Sequence, residues 1–159
     1  MKTVGKFLLS ALLVTSLFSA YNPLDGVKAQ KQEALKYANK FITAQQLKSW
    51  MKEGKSFKIV DVREASERYA GQIDCKKTLN IPRGVLYGAV KKGILKPKHT
   101  YIMVCRTGHR ALLAAATLVK YYDFKNVYVL KGGIKAWIKD GGLIKNGLHL
   151  GKVKITLTK

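Results

Sequence analysis

The chain is short of the residues that would reveal its chemistry by abundance. Its 159 residues include two cysteines, Cys75 and Cys105, which excludes a scaffold stapled by several disulfides. Those thiols and the three histidines, His99, His109 and His149, show no zinc-ligand spacing, so no metal site is expected. Acidic residues are scarce, 9 against 30 lysines and arginines, for a formal charge of +21. The excess favours solubility and draws anions to the surface. No dense block of five or more lysines is present, so nucleic acid is not an expected partner. No internal repeat is visible. No apolar run reaches the roughly 20 residues a membrane span needs.

What is present falls into segments. Lys2 and Lys6 precede the apolar run Phe7 to Ala20, the pattern of a secretory signal, and Val27-Lys28-Ala29 ends on a small residue suited to cleavage. The expected organisation is a signal peptide over 1–29, a polar linker over 30–40, one domain over 41–145 and a basic extension over 146–159. A retained N-terminal anchor is the alternative. The expected location is periplasmic or otherwise exported, with no stable membrane span after cleavage. In the extension, Val153, Ile155 and Leu157 alternate with lysines and threonines, which reads as a half-exposed strand. That strand would extend a sheet edge or pair with a second subunit, so a homodimer is compatible with it.

Between these ends, strands and helices alternate. Residues 57–62, 78–82, 100–104 and 126–130 are short apolar runs rich in β-branched residues. Helices are predicted over 43–54 (capped by Thr43), 63–71, 83–93, 109–122 and 132–142. The strands are apolar throughout, as expected when both faces are covered. The fold class is α/β, an open parallel sheet of about five strands with helices on both faces.

The stretch Val-Cys-Arg-Thr-Gly-His-Arg-Ala, 104–111, carries the chemistry. Cys105 follows a predicted strand and precedes the helix from His109, where open α/β sheets bind ligands. Amides of the Arg106-Thr107-Gly108 loop, the helix N-terminus, and the charges of Arg106 and Arg110 all favour thiolate over thiol. A thiolate is a nucleophile, and the same cradle suits an anion. A buried packing cysteine would not be followed by so polar a run. Four of the five arginines, Arg63, Arg83, Arg106 and Arg110, fall at this edge of the sheet, and their planar forks suit oxyanions. Arg106 and Arg110 are expected to face substrate, with Arg83 a further candidate. Arg63 is expected to be mainly structural, paired with a carboxylate.

Cys105-Arg106-Thr107-Gly108-His109-Arg110 resembles the active loop of the single-domain rhodaneses. Asp61-Val62-Arg63-Glu64, Gly71-Gln72-Ile73 with Leu79-Asn80-Ile81-Pro82, and Leu130-Lys131-Gly132-Gly133-Ile134 with Trp137 and Gly141 resemble three other segments of that family, in its order. The resemblance covers residues 42–144. It implies a sulfurtransferase in which Cys105 carries sulfane sulfur as a persulfide. It implies that the amides of Arg106 through Arg110 cradle the sulfur, that Asp61 organises the loop, and that no cofactor is needed. Thr107 and His109 are candidates for contact with substrate. The implied donors are thiosulfate, polysulfide or a persulfide; the acceptors are a thiol, sulfide, cyanide or a protein. The exported polysulfide–sulfide transferases are an attractive comparison, because a basic surface would gather polysulfide dianions.

Cys75 departs from the family pattern. It precedes one predicted strand while Cys105 follows another, so the two thiols should lie at opposite ends of the sheet, roughly 15 Å apart, beyond disulfide reach. Cys75 is then best read as a small packing residue. A cysteine phosphatase would carry arginine six residues after the cysteine, where Ala111 stands. A rhodanese-like binding or carrier module without general turnover is the alternative from a different class.

Overall fold

The computed structural model describes residues 22–145 and 152–153. The chain divides into Met1–Gln30 and Lys31–Lys159. The described part of the first unit, 22–30, is the start of helix α1 (Pro23–Leu35), with Lys28 paired to Asp25 at 3.0 Å.

In the second unit the elements after α1 are β1 (Phe41–Ile42), α2 (Ala44–Lys52), β2 (Lys58–Asp61), α3 (Ala65–Tyr69), β3 (Gln72–Ile73) and β4 (Thr78–Asn80). A 3-10 turn (Arg83–Val85) leads into α4 (Leu86–Lys91). The chain continues through β5 (Tyr101–Val104), α5 (His109–Tyr122), β6 (Val127–Leu130), α6 (Gly133–Lys139), β7 (Ile144–Lys145) and β8 (Lys152–Val153). The main sheet has five parallel strands in the order β1-β6-β5-β2-β4. The α/β expectation holds, and β1 is the fifth strand.

Alternation along the strands explains the layers. Val60, Met103 and Val129 enter one core with α5, while Ile59, Ile102, Val104 and Leu130 enter a second core with Ile134 and Trp137 of α6. Both sheet faces are therefore covered, which is why β5 is buried at every residue. On α5, Ala111, Ala114 and Ala115 are fully buried, and their small size lets the helix lie close to the sheet. Thr43 caps α2 through a reciprocal box with Gln46, at 3.1 and 2.9 Å.

Two sequence expectations change, and a third is only partly described. The 30–40 stretch is not an open linker: α1 runs to Leu35, and Ala34 and Ala38 are buried in the first core. Ala34 and Ala38 are buried with Leu35 and Tyr37 packed beside them, and the remaining residues of the segment are polar, which is why composition alone reads as linker. Gln72–Ile73 and Ile144–Lys145, not anticipated as strands, form a small antiparallel sheet in the order β3-β7-β8. Of the predicted 148–159 strand, only Lys152–Val153 is described, and it pairs with β7 of its own chain; the rest lies outside the described residues, as does most of the 1–29 segment. No described helix is long and apolar enough to cross a membrane.

Candidate active site

Parallel strands end together, so the loops after β2, β4, β5 and β6 share one edge of the sheet. Cys105 is the first residue beyond β5 and only 1% exposed. The chain then turns through Arg106 and Thr107 to Gly108, which caps α5 with φ 102°, a conformation that favours glycine. That turn aims the Gly108 N–H at the Cys105 Sγ, 3.1 Å away. Gly108 is among the residues whose amides are expected to cradle the sulfur.

The back of the loop is pinned by α6. Ile134 N–H donates to the Cys105 carbonyl at 2.9 Å, and Lys135 N–H to the Arg106 carbonyl at 3.2 Å. Both carbonyls are thereby satisfied by the helix. The approach needs Gly133, whose φ is 60°; a Cβ there would stand 2.3 Å from the Cys105 carbonyl oxygen.

The arginines divide into two kinds. Arg63 is buried and paired with Asp61. Its Nε donates to Asp61 Oδ1 at 2.9 Å and its Nη2 to Asp61 Oδ2 at 2.6 Å. Arg63 also donates to the Gly71 carbonyl at 2.8 Å and the Glu67 carbonyl at 3.3 Å, binding α3 to the end of β2. Arg106 and Arg83 are exposed, Arg83 on the turn after β4.

Arg110, expected to face substrate, is also ion-paired. Both of its terminal nitrogens are held by the Glu67 carboxylate, each at 2.6 Å. Hydrogen bonding to Arg110 holds the Glu67 carboxyl at about 2. Arg110 is held above its ordinary value chiefly by Glu67, and secondarily by the nearby Cys105. Sequence reasoning missed Glu67. Its one local signal is its place three residues after Glu64, where its side chain accepts the Glu64 N–H at 3.2 Å. A relay results: Asp61 fixes Arg63, Arg63 fixes the α3 backbone, and α3 presents Glu67 to Arg110 beside Cys105.

Thr107, Gly108 and His109 line a cavity of about 450 Å³ with Phe41, Leu112 and Lys131. His109 is half-buried, which places it at a ligand-sized opening beside the loop. Cys75 is a free, partly buried thiol against the second core, three residues before β4 and thus at the opposite edge from Cys105. No group of metal-ligating side chains occurs among the described residues.

Comparison with known proteins places this arrangement. Residues 43–140 match the rhodanese-like domain. A probable adenylyltransferase/sulfurtransferase of Mycobacterium tuberculosis is 32% identical over 98 residues, covering 62% of this chain and 24% of that protein. The chain thus spans about a quarter of the length of the curated relatives it matches. Among solved structures, the polysulfide-sulfur transferase homodimer of Wolinella succinogenes is 28% identical over 79% of this chain and 88% of its own, with a TM-score of 0.62. A Rhodopseudomonas palustris protein of unknown function, described as a possible tyrosine phosphatase, is 28% identical over 75% of this chain and 93% of its own, with a TM-score of 0.65. The family model shows a rhodanese-like domain, and two of these relatives are named for sulfur transfer.

Proposed function

From the premise that the chain belongs to the rhodanese-like domain family, we propose that it moves sulfane sulfur from an anionic donor to a thiophilic acceptor through a persulfide on Cys105. The observation that carries this reading is the Gly108 N–H aimed at the Cys105 Sγ from 3.1 Å, in a loop pinned from behind by α6. A preorganised donor of this kind stabilises negative charge on sulfur without rearrangement during reaction.

With thiosulfate, the Cys105 thiolate attacks the outer sulfur. A new S–S bond forms, the old one breaks, and sulfite leaves with the bonding electrons. An acceptor thiolate, sulfide or cyanide then attacks the outer sulfur of the persulfide, and Cys105 leaves as thiolate. Two modest steps replace one difficult transfer. Arg106 and Arg83, exposed at this edge, would meet the donor's anionic end, and Thr107 and His109 its flank. Asp61 and Arg63 hold the scaffold.

Polysulfide is the donor class that the charge of +21 favours, through attraction at a rate that falls with salt. Export, cleavage after Ala29 and a homodimer belong to the same reading. Export rests on the N-terminal pattern, and the dimer on the alternating tail and the homodimeric Wolinella protein. A phosphatase reading is disfavoured, because Ala111 stands six residues after the cysteine and is fully buried.

The test is intact mass before and after thiosulfate or polysulfide, with Cys105→Ser alongside. A gain of sulfur that cyanide removes and the variant lacks is the expected result. No gain with any donor would sink the persulfide reading and leave a binding or partner-specific carrier domain.

A further inference from the structure

A second cavity, of about 570 Å³, lies at the other edge of the sheet, where the strands begin. Lys58, Lys76, Lys77, Lys98 and His99 line it, over an apolar wall that includes Phe57. These residues come from three separate stretches: the start of β2, the approach to β4 and the approach to β5. The parallel register brings them together, since Lys58 pairs with Tyr101 and Ile59 with Thr78.

No carboxylate lines the cavity. Elsewhere several acidic residues pair with basic ones, as Glu33 does with Lys36, Asp140 with Lys48 and Glu67 with Arg110. Among the described residues, Lys58, Lys76, Lys77 and Lys98 make no ion pair. Lys77 is partly fixed, donating to the Lys55 carbonyl at 3.3 Å and lying 5.5 Å from the Phe57 ring centroid. His99 stands edge-on to Tyr101, with ring centroids 6.3 Å apart. Gathering four like charges around one concavity raises the local potential, and low-dielectric walls focus it. A flat solvated lysine face would spread those charges instead.

We propose that this cavity binds a small anion bearing phosphoryl groups. The cavity has the size of ligand sites, roughly 300–1,000 Å³. Its charges are lysine point charges, which suit the multiple oxygens and charges of a phosphate. Ser56 and Thr100, also lining it, carry hydroxyls that such an anion could use. The length of a strand separates it from Cys105, so its ligand takes no part in the sulfur step. The inference stands whether or not Cys105 carries sulfur.

Inorganic pyrophosphate is the probe, titrated calorimetrically into the full chain at low ionic strength. The unmodified protein is expected to bind one equivalent. A Lys58→Gln, Lys76→Gln, Lys98→Gln triple variant should weaken binding by at least about tenfold. A control triple, Lys52→Gln, Lys91→Gln, Lys139→Gln, removes the same charge elsewhere and should change it less than about twofold. The His99 ring resonances should shift with pyrophosphate in step with occupancy. Phosphatidylglycerol vesicles that compete would identify a lipid headgroup as the phosphoryl source; vesicles that do not would identify a soluble phosphate. Absent saturable binding, equal losses in both triples, or an unmoved His99 would each overturn the proposal.

Discussion

The two edges of the main sheet carry one cysteine each and opposite styles of positive charge. At the edge where strands end, two arginines are forked onto carboxylates, Arg63 on Asp61 and Arg110 on Glu67, while Arg83 and Arg106 are exposed. At the edge where strands begin, the charge is lysine, half-buried at Lys58 and exposed at Lys76, Lys77 and Lys98, and none of these makes an ion pair among the described residues. Arginine's planar fork fixes geometry, whereas lysine's flexible stem supplies charge without fixing it. On the proposed reading, the first edge holds one sulfur in one place. The second gathers anions and leaves their pose open.

The largest expected effect breaks the comparison between the two thiols. Cys105→Ser should abolish sulfur uptake by intact mass. Cys75→Ser, at the other edge, should leave uptake within about twofold, because Cys75 only packs against the second core. Equal loss in both variants would show that the edges are chemically coupled.

Next comes the pair that holds the catalytic edge together. Asp61 is 2% exposed and Arg63 is 4% exposed, so removing either partner strands a buried charge. Asp61→Ala should cost about 3–5 kcal/mol in urea denaturation, the range for a broken buried pair. A lysine-to-glutamine change at the opposite edge, such as Lys76→Gln, should stay within about 0.5 kcal/mol. A cost for Asp61→Ala as small as that would mean Arg63 finds other partners and that the relay to Glu67 is not rigid.

Gly133→Ala should come third. It places a Cβ 2.3 Å from the Cys105 carbonyl oxygen at a φ of 60°. The left-handed conformation alone costs about 1–2 kcal/mol with a side chain. The clash should also move the loop, so sulfur uptake should slow out of proportion to the stability lost. A stable variant with normal uptake would show that α6 does not set the loop.

Much of this edge was readable beforehand. Helix α5 matches its expected 109–122 limits, because nothing in it breaks a helix and alanine and leucine dominate. Cys105 stood out because its neighbours are polar where a core residue's would be apolar. What stayed hidden is non-local. Glu67 and Arg110 are 43 positions apart, and no local pattern announces their contact. Strands β1, β3 and β7 have two residues each, too few for a period, and form only because a partner strand waits for them. The lysine cavity is assembled from 56–58, 76–77 and 98–100, whose spacing reads as scattered surface charge.

The smallest expected effect tests the Glu67–Arg110 contact by pH. The Glu67 carboxyl is lowered from 4.5 to about 2 by its bond to Arg110. A depressed carboxyl stabilises the fold above its unfolded value, and that gain fades as pH falls from about 4.5 towards 2. The two side chains are 34% and 31% exposed, so solvent screens the pair and its worth is about 1 kcal/mol or less. Glu67→Gln should therefore be slightly less stable than the unmodified chain at pH 7, and the gap should close on acidification. The freed Arg110 fork should also change the donor KM in sulfur uptake, an effect that a purely structural contact would not produce. A stability gap that ignores pH, with an unchanged donor KM, would remove Glu67 from the account of Cys105 and leave Arg110's place beside the sulfur to its own helix.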